Sequence, residues 1–117
     1  MKSFSVCLAF LVAMIAFPSA WAAPYQATGT VSFIRVLESS YGPDINWIAV
    51  SGFTTAGSCP QADGYLALML RDDTRGKQML RLAEAARLAN AVVTVNIDDT
   101  HKSTAGYCLV QYISVAQ

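Results

Sequence analysis

The sequence predicts a small, mainly β domain with one helix, in the order β-β-β-α-β-β. Five segments alternate apolar and polar residues with a period of two, which is typical of half-buried strands. Between the third and fourth of these, apolar residues recur every three or four positions, which indicates a helix. The chain has 117 residues with no internal repeat and no low-complexity tract, a length that suits a single domain.

Residues 1–22 have the layout of a secretory signal peptide. Lys2 precedes the apolar run Val6–Phe17, and Ala20-Trp21-Ala22 places small residues where a signal peptidase reads them. The run is too short to span a bilayer comfortably, which disfavours the alternative of an uncleaved anchor. We therefore expect cleavage after Ala22, a secreted or periplasmic domain of residues 23–117, and no integral membrane segment after cleavage.

The charge of residues 23–117 disfavours nucleic-acid binding. Of the eight Lys and Arg residues, Lys2 lies in the leader, so seven basic residues face eight acidic ones. Proteins that bind nucleic acid usually carry a basic excess that displaces counterions from phosphates. We expect no nucleic-acid partner.

Cys59 and Cys108 are the two cysteines that remain after cleavage. In an exported chain an even count indicates a disulfide, and two cysteines allow one intramolecular pairing. Closing a loop of this length stabilises a chain by about 4 kcal/mol in the chain-entropy model. The alternatives are a metal site, which would want more Cys or His than the sole histidine His101 offers, or a catalytic thiol.

The first two strands are predicted at Thr28–Leu37 and Asn46–Phe53. In the first, Val31 and Phe33 share one face whereas Ile34 and Val36 share the other, and such a change of face indicates a bulge or a bend. The second places Ile48 and Val50 opposite Trp47, Ala49 and Phe53. Residues 39–44 between them have the composition of a turn.

The third strand is predicted at Tyr65–Leu70, after a loop at Thr54–Gly64. Asp72 and Asp73 are suited to cap a helix, Gly76 weakens its first turn, and Lys77–Ala89 is a good helix former. The predicted apolar stripe consists of Met79, Leu82, Ala83, Ala86 and Ala89. Asn90 suits the helix end. Strands at Ala91–Ile97 and Tyr107–Val115 follow, joined by a polar connection over residues 98–106.

This order of elements, with a bent first strand and a helix between strands three and four, predicts an OB-fold, a five-stranded Greek-key barrel. Closing the barrel removes exposed sheet edges, and the helix covers one end. The alternative is a flat α+β sheet with the helix packed on one face.

Several segments resemble small secreted bacterial proteins related to the B subunits of subtilase-cytotoxin-type AB5 toxins. They are the strand Thr28–Leu37, the cysteine loop before Gly64-Tyr65-Leu66-Ala67-Leu68, the run Asp73-Thr74-Arg75-Gly76-Lys77-Gln78-Met79-Leu80, Ala85-Ala86, and Val92-Val93-Thr94-Val95. The resemblance covers most of residues 23–117 and implies an OB-fold, a ring of five subunits and glycan binding. The position of the disulfide departs from those toxins.

The resemblance also suggests ligand-binding residues. The toxins' sugar site uses a serine near the start of the first strand, to which Thr28 corresponds here, with Tyr25 close by. A third candidate, Tyr41, comes from composition, because an aromatic residue in a polar turn is the one least suited to the core. A ring would also cover the apolar residues predicted on the outer side of strands three and five, namely Ala67, Met69, Val110 and Tyr112.

Catalytic and metal chemistry are poorly supported. One histidine and two paired cysteines offer no Ser-His or Cys-His arrangement. Asp98, Asp99 and His101 could bind a metal, but they lie in a polar segment that a solvated strand connection explains. We therefore predict an exported, non-enzymatic binding module without cofactor or metal, with a cell-surface glycan as its partner. The alternative is a periplasmic or secreted protein-interaction or inhibitor domain.

Overall fold

A computed structural model of the protein describes residues 25–42 and 46–115. The predicted signal peptide and its cleavage site lie outside these residues. The strands are β1 (Tyr25–Arg35), β2 (Asn46–Val50), β3 (Gln61–Ala62), β4 (Tyr65–Leu66), β5 (Leu68–Leu70), β6 (Val92–Lys102) and β7 (Cys108–Val115). The helix α1 spans Thr74–Ala89, and Ser39–Tyr41 form one turn of 3₁₀ helix.

Five strands close into a barrel in the order β1-β2-β5-β7-β6, and β6 pairs back with β1. All neighbouring pairs are antiparallel except β5 and β7, which are parallel. The predicted β-rich barrel with one helix is confirmed, and the flat sheet is excluded. The remaining strands, β3 and β4, form a separate two-stranded hairpin.

Strand β1 is long enough to pair with two neighbouring strands, β6 and β2. Residues 25–30 pair with β6, and residues 31–35 pair with β2 after a shift of register between Val31 and Phe33. The predicted change of face is therefore a real irregularity, at which the strand bends from one neighbour to the other. The strand also begins three residues earlier than predicted.

Alternating apolar residues fill the barrel interior. Ile48 and Val50 of β2 point inward, as do Leu68 and Leu70 of β5, while Trp47, Ala49 and Met69 belong to a second cluster on the outside. The side chains buried most completely include Leu66, Val93, Val95 and Ile97. Two predictions of facing were wrong. Phe53 packs on the side of Ile48 and Val50 rather than on that of Trp47, because the chain turns after Val50. Val110 lies in the core rather than outside.

Strand β6 continues through residues predicted as a polar connection. It extends to Lys102, which pairs with Cys108 of β7, so the connection is only residues 103–107. Its polar composition reflects the exposure of this end of the strand, where Thr100, His101 and Lys102 face solvent.

The helix begins and ends as predicted, but its buried face is narrower than the predicted apolar stripe. The side chain of Asp73 accepts a hydrogen bond from the Gly76 N–H at 2.7 Å, and Asn90 ends the helix in the left-handed region. Ala83 and Ala86 are buried, whereas Leu82 is 37% exposed and Ala89 is exposed. The prediction for these last two was wrong, because close contact through the small residues leaves Leu82 at the edge of the contact.

Gly76 also has a different role from the one predicted. It is buried, and a Cβ placed on it would overlap the backbone carbonyl of Arg71. The glycine therefore permits the chain to turn tightly into the helix, rather than simply weakening its first turn.

Cys59 and Cys108 are joined by a disulfide, as predicted, with their Cα atoms 5.5 Å apart. The bond attaches the loop before β3 to the start of β7. Across the residues described, no helix combines the length and the apolar character needed to cross a membrane.

Candidate functional site

The outer side of β2 and β5 carries a second apolar cluster, formed by Trp47, Ala49, Ala67, Met69 and Leu109. The side chains packed over it belong to the same chain: Phe33 from β1, Ala62 from the β3–β4 hairpin, and Tyr107. Ala67 is fully buried and Met69 is 5% exposed. These residues therefore need no partner subunit to cover them, which corrects the expectation that a ring would do so. Tyr112 remains 42% exposed.

Three aromatic rings stack along the edge of this cluster. Phe33 contacts both Trp47 and Tyr65, with its ring centroid 4.7 Å from each, and the centroids of Trp47 and Tyr65 are 6.4 Å apart. The interplanar angles, 29° and 27°, are those of stacked pairs. Trp47 is nearly inaccessible to solvent, whereas Tyr65 is 37% exposed, so the stack runs from the interior to the surface.

A cation lies over the same rings. The guanidinium carbon of Arg35 is 5.0 Å from the centroid of Phe33 and 5.2 Å from that of Trp47, within the range of cation–π contacts. The guanidinium also pairs with the carboxylate of Asp63, which lies in the turn between β3 and β4. Asp63 and Gly64 both have positive φ, as an Asp-Gly hairpin turn requires. This turn therefore places the Asp63 carboxylate next to the guanidinium of Arg35.

A groove of about 420 Å³ opens beside this ion pair, and we call it the aromatic groove. The β1–β2 connection contributes Tyr41, which is 72% exposed, and the β6–β7 connection contributes Ala105, with Tyr107 next to it. The lining residues are Arg35, Leu37, Tyr41, Trp47, Ala62, Asp63, Met69, Ala105 and Tyr107. The groove therefore combines aromatic faces with one cation and one carboxylate.

The structure does not bring the three candidate ligand residues together. Tyr41 lines the aromatic groove, but Thr28 and Tyr25 do not. Thr28 is exposed on the part of β1 that pairs with β6, and its hydroxyl lies 3.0 Å from that of Thr94. Tyr25 is half-buried and packs against the barrel core.

The acidic segment at the end of β6 is engaged in local contacts. Asp98 accepts hydrogen bonds from the hydroxyl and the backbone N–H of Thr100, and these bonds lower the pKa of its carboxyl, with a smaller contribution from His101. The Asp99 carboxylate instead accepts from the backbone N–H of Ser58. Among the described residues no three His, Cys, Asp or Glu side chains are grouped as metal ligands.

The fold and the site thus define a small disulfide-linked OB-type barrel with an aromatic groove. Comparison of the chain with models of protein families, with curated proteins and with solved structures found no match.

Sequence reasoning missed Arg35 and Asp63. Each had a local signal: Arg35 is a charged residue inside an apolar strand, and Asp63-Gly64 is a strong hairpin-turn dipeptide. Neither signal says that the two side chains meet, because they are 28 residues apart.

Proposed function

We propose that the protein is an exported, non-enzymatic binding module that takes carbohydrate in the aromatic groove. The observation that carries this proposal is the position of the groove. It lies on the faces of the second and third barrel strands, between the connections β1–β2 and β6–β7. In OB-fold barrels this face and these two loops bind oligosaccharides and oligonucleotides.

The chemistry of the lining residues favours oligosaccharides over oligonucleotides. The exposed Tyr41 offers a rigid apolar face with a polar group at its edge, which suits a ring that has both C–H faces and hydroxyls. The Arg35–Asp63 pair supplies donors and acceptors at one side. Oligonucleotides would require a basic excess, and residues 23–117 have none.

A glycan-array screen of the purified mature protein tests the proposal, followed by calorimetry with the best oligosaccharide. We expect Tyr41→Ala to weaken binding by about tenfold, equivalent to about 1.4 kcal/mol, because it removes an exposed aromatic face from the groove. Tyr112→Ala is the matched control, since this tyrosine is also exposed but lies outside the groove.

Three results would contradict the proposal. One is the absence of any glycan hit, and another is equal weakening by Tyr41→Ala and Tyr112→Ala. The third is loss of binding in Thr28→Ala with Tyr41→Ala unaffected, which would move the site to the β1–β6 face that the toxin resemblance suggests.

The second candidate function is a protein-interaction or inhibitor domain. Several apolar side chains are exposed in the structure, including Leu88 at 90%, Val92 at 45% and Tyr112 at 42%. Leu82 and Tyr112 also line a shallow depression beside the helix. Protein partners bury surfaces of this kind. A protein partner whose binding is lost in Leu82→Asp but retained in Tyr41→Ala would favour this function over the first.

Export and ring assembly, including the pentamer that the resemblance implies, are parts of the same proposal. Mature protein recovered from the periplasm or the medium is expected to begin at Ala23 by intact mass. Sedimentation should give five times the monomer mass if the ring forms. Full-length chain in the membrane fraction would contradict export, and a monomer at high concentration would remove the ring while leaving the groove to bind as a single site.

A further inference from the structure

A second cleft, distinct from the aromatic groove, opens where the start of α1 approaches β6 and β7. It has a volume of about 500 Å³. Basic side chains reach it from three places: Arg71 from the segment before the helix, Arg75 from the first turn, and His101 from β6. We call it the cationic cleft.

The two arginines supply the positive charge of the cleft. Both are exposed, and in residues 25–42 and 46–115 neither guanidinium makes a hydrogen bond or an ion pair. Asp73 is the one carboxylate among the described lining residues, and its side chain is already engaged as the helix cap on the Gly76 N–H. That carboxylate keeps its negative charge, so the described lining carries two guanidinium groups against one carboxylate, an excess of one positive charge.

Two further groups can donate into the same space. Gln111 accepts from the Asn96 amide through its oxygen at 2.6 Å, so its own NH₂ group is left as a donor. The Nδ1 atom of His101 lies 3.2 Å from Asp98, so its Nε2 atom is the one available to a ligand. The arginines carry the positive charge of the cleft.

The tight turn before the helix brings both arginines to the same cleft. Gly76 packs directly on the Arg71 carbonyl, so the residues on either side of this tight turn, Arg71 and Arg75, lie along the same cleft. The cleft also has an apolar wall, which includes Met79 and Val110. Such a wall suits the carbon skeleton to which an anionic group is attached.

We propose that the cationic cleft binds a tetrahedral oxyanion ester, that is, a sulfate or phosphate group on a larger molecule. A guanidinium group matches the geometry and charge of these oxyanions and offers them bidentate, charge-assisted hydrogen bonds, and two such groups line the cleft. The Gly76 N–H at the helix start is already bonded to the Asp73 side chain and does not contribute to this site. The cleft is separate from the aromatic groove and does not depend on its ligand.

Inorganic phosphate and inorganic sulfate, titrated separately into the ¹⁵N-labelled mature protein against sodium chloride at equal ionic strength, test the proposal. We expect saturable shifts of the Gly76 backbone and the Gln111 side-chain resonances with at least one of the two anions. Saturation by phosphate alone assigns a phosphate ester, and saturation by sulfate alone assigns a sulfate ester. Saturation by both anions would show that the cleft recognises the tetrahedral oxyanion that phosphate and sulfate esters share.

Arg71→Gln and Arg75→Gln should each weaken this binding by roughly tenfold, since each removes a charge-assisted contact. Arg81→Gln is the matched control, because Arg81 is an exposed arginine of the same helix that does not line the cleft. Shifts that grow linearly without saturation with both anions would overturn the proposal. Equal weakening by Arg81→Gln would also overturn it, because it would show attraction to the overall charge of the helix.

Discussion

At position 76, the contact with the backbone of Arg71 determines which residue fits, rather than the helix propensity. In helix propensity alone, alanine is better than glycine by about 1 kcal/mol. Here the site of a Cβ is already filled by the backbone of Arg71, and backbone cannot move aside as a flexible side chain can. This steric overlap therefore determines how a substitution of Gly76 changes the stability of the protein.

We expect Gly76→Ala to destabilise the protein by about 1–3 kcal/mol, as overpacking of a closely packed position does. Urea unfolding followed by circular dichroism measures the change. Lys77→Ala is the control, because this exposed neighbour should alter the free energy of unfolding by less than about 0.5 kcal/mol. A stabilised Gly76→Ala variant would show that the turn before the helix is not as tight as described.

Asp98 is the residue whose pKa the fold lowers, chiefly through the hydroxyl of Thr100 and then through its backbone N–H. Because the folded pKa lies below the unfolded one, the stabilisation is complete above the ordinary Asp range. It is lost as the pH falls through the lowered pKa.

Thr100→Val should raise the pKa of Asp98 toward its ordinary value, since it removes the first of these hydrogen bonds. An NMR titration of the Asp98 carboxyl carbon measures the pKa, and Thr104→Val, an exposed threonine outside this network, serves as the control. An unchanged Asp98 pKa in Thr100→Val would mean that another group lowers it.

At the scale of the element, the helix is held by a narrow contact of small residues. Ala83 and Ala86 are 0% and 3% exposed, and the larger Met79 and Leu80 flank them. Small side chains allow the helix axis to approach the barrel closely, so there is little space for a longer one.

Ala86→Arg should destabilise the protein by about 3 kcal/mol or more, because it forces a long charged side chain into this contact. Ala85→Arg places the same substitution on the exposed face one position earlier, and it should change the stability by less than about 0.5 kcal/mol. Thermal unfolding of the two variants compares them. Similar losses would show that the buried face of the helix has been assigned wrongly.

Arg87, on the other side of Ala86, has a contact that the sequence did not indicate. Its guanidinium donates to the carbonyl of Val31 at 3.2 Å, close to the bend of β1. A hydrogen bond at this exposed residue contributes about 1 kcal/mol or less, so the helix depends mainly on its alanine contact.

At the scale of the whole molecule, the disulfide supplies a large part of the stability of the fold. Cys59 and Cys108 are 49 residues apart, and their bond joins the loop before the β3–β4 hairpin to a barrel strand. In the chain-entropy model this closure stabilises the fold by about 4 kcal/mol, a large share of the stability of a domain this small.

Reduction should therefore lower the melting temperature by about ten degrees or more. Differential scanning calorimetry with and without dithiothreitol measures the difference. The double variant Cys59→Ala with Cys108→Ala should melt at a lower temperature and show no further response to the reductant. Equal melting temperatures of oxidised and reduced wild-type protein would contradict this role.

The sequence alone determined the order of the five main strands and the helix, the outward side of Ala67 and Met69 before and in β5, and the disulfide pairing. These features depend on short-range periodicity, or on a pairing for which residues 23–117 offer one choice. The bend of β1 was predictable for the same reason, because a change of face within one strand is visible in adjacent residues.

Only the tertiary structure decided where the groove and the cleft lie. Arg35 meets Asp63 because β1 pairs with β2 while the β3–β4 hairpin packs over the outer cluster of these strands. Arg71, Arg75 and His101 line one cleft because α1 packs against β7, the neighbour of β6 in the barrel. Contacts between distant residues depend on the path of the whole chain, and no local pattern encodes that path.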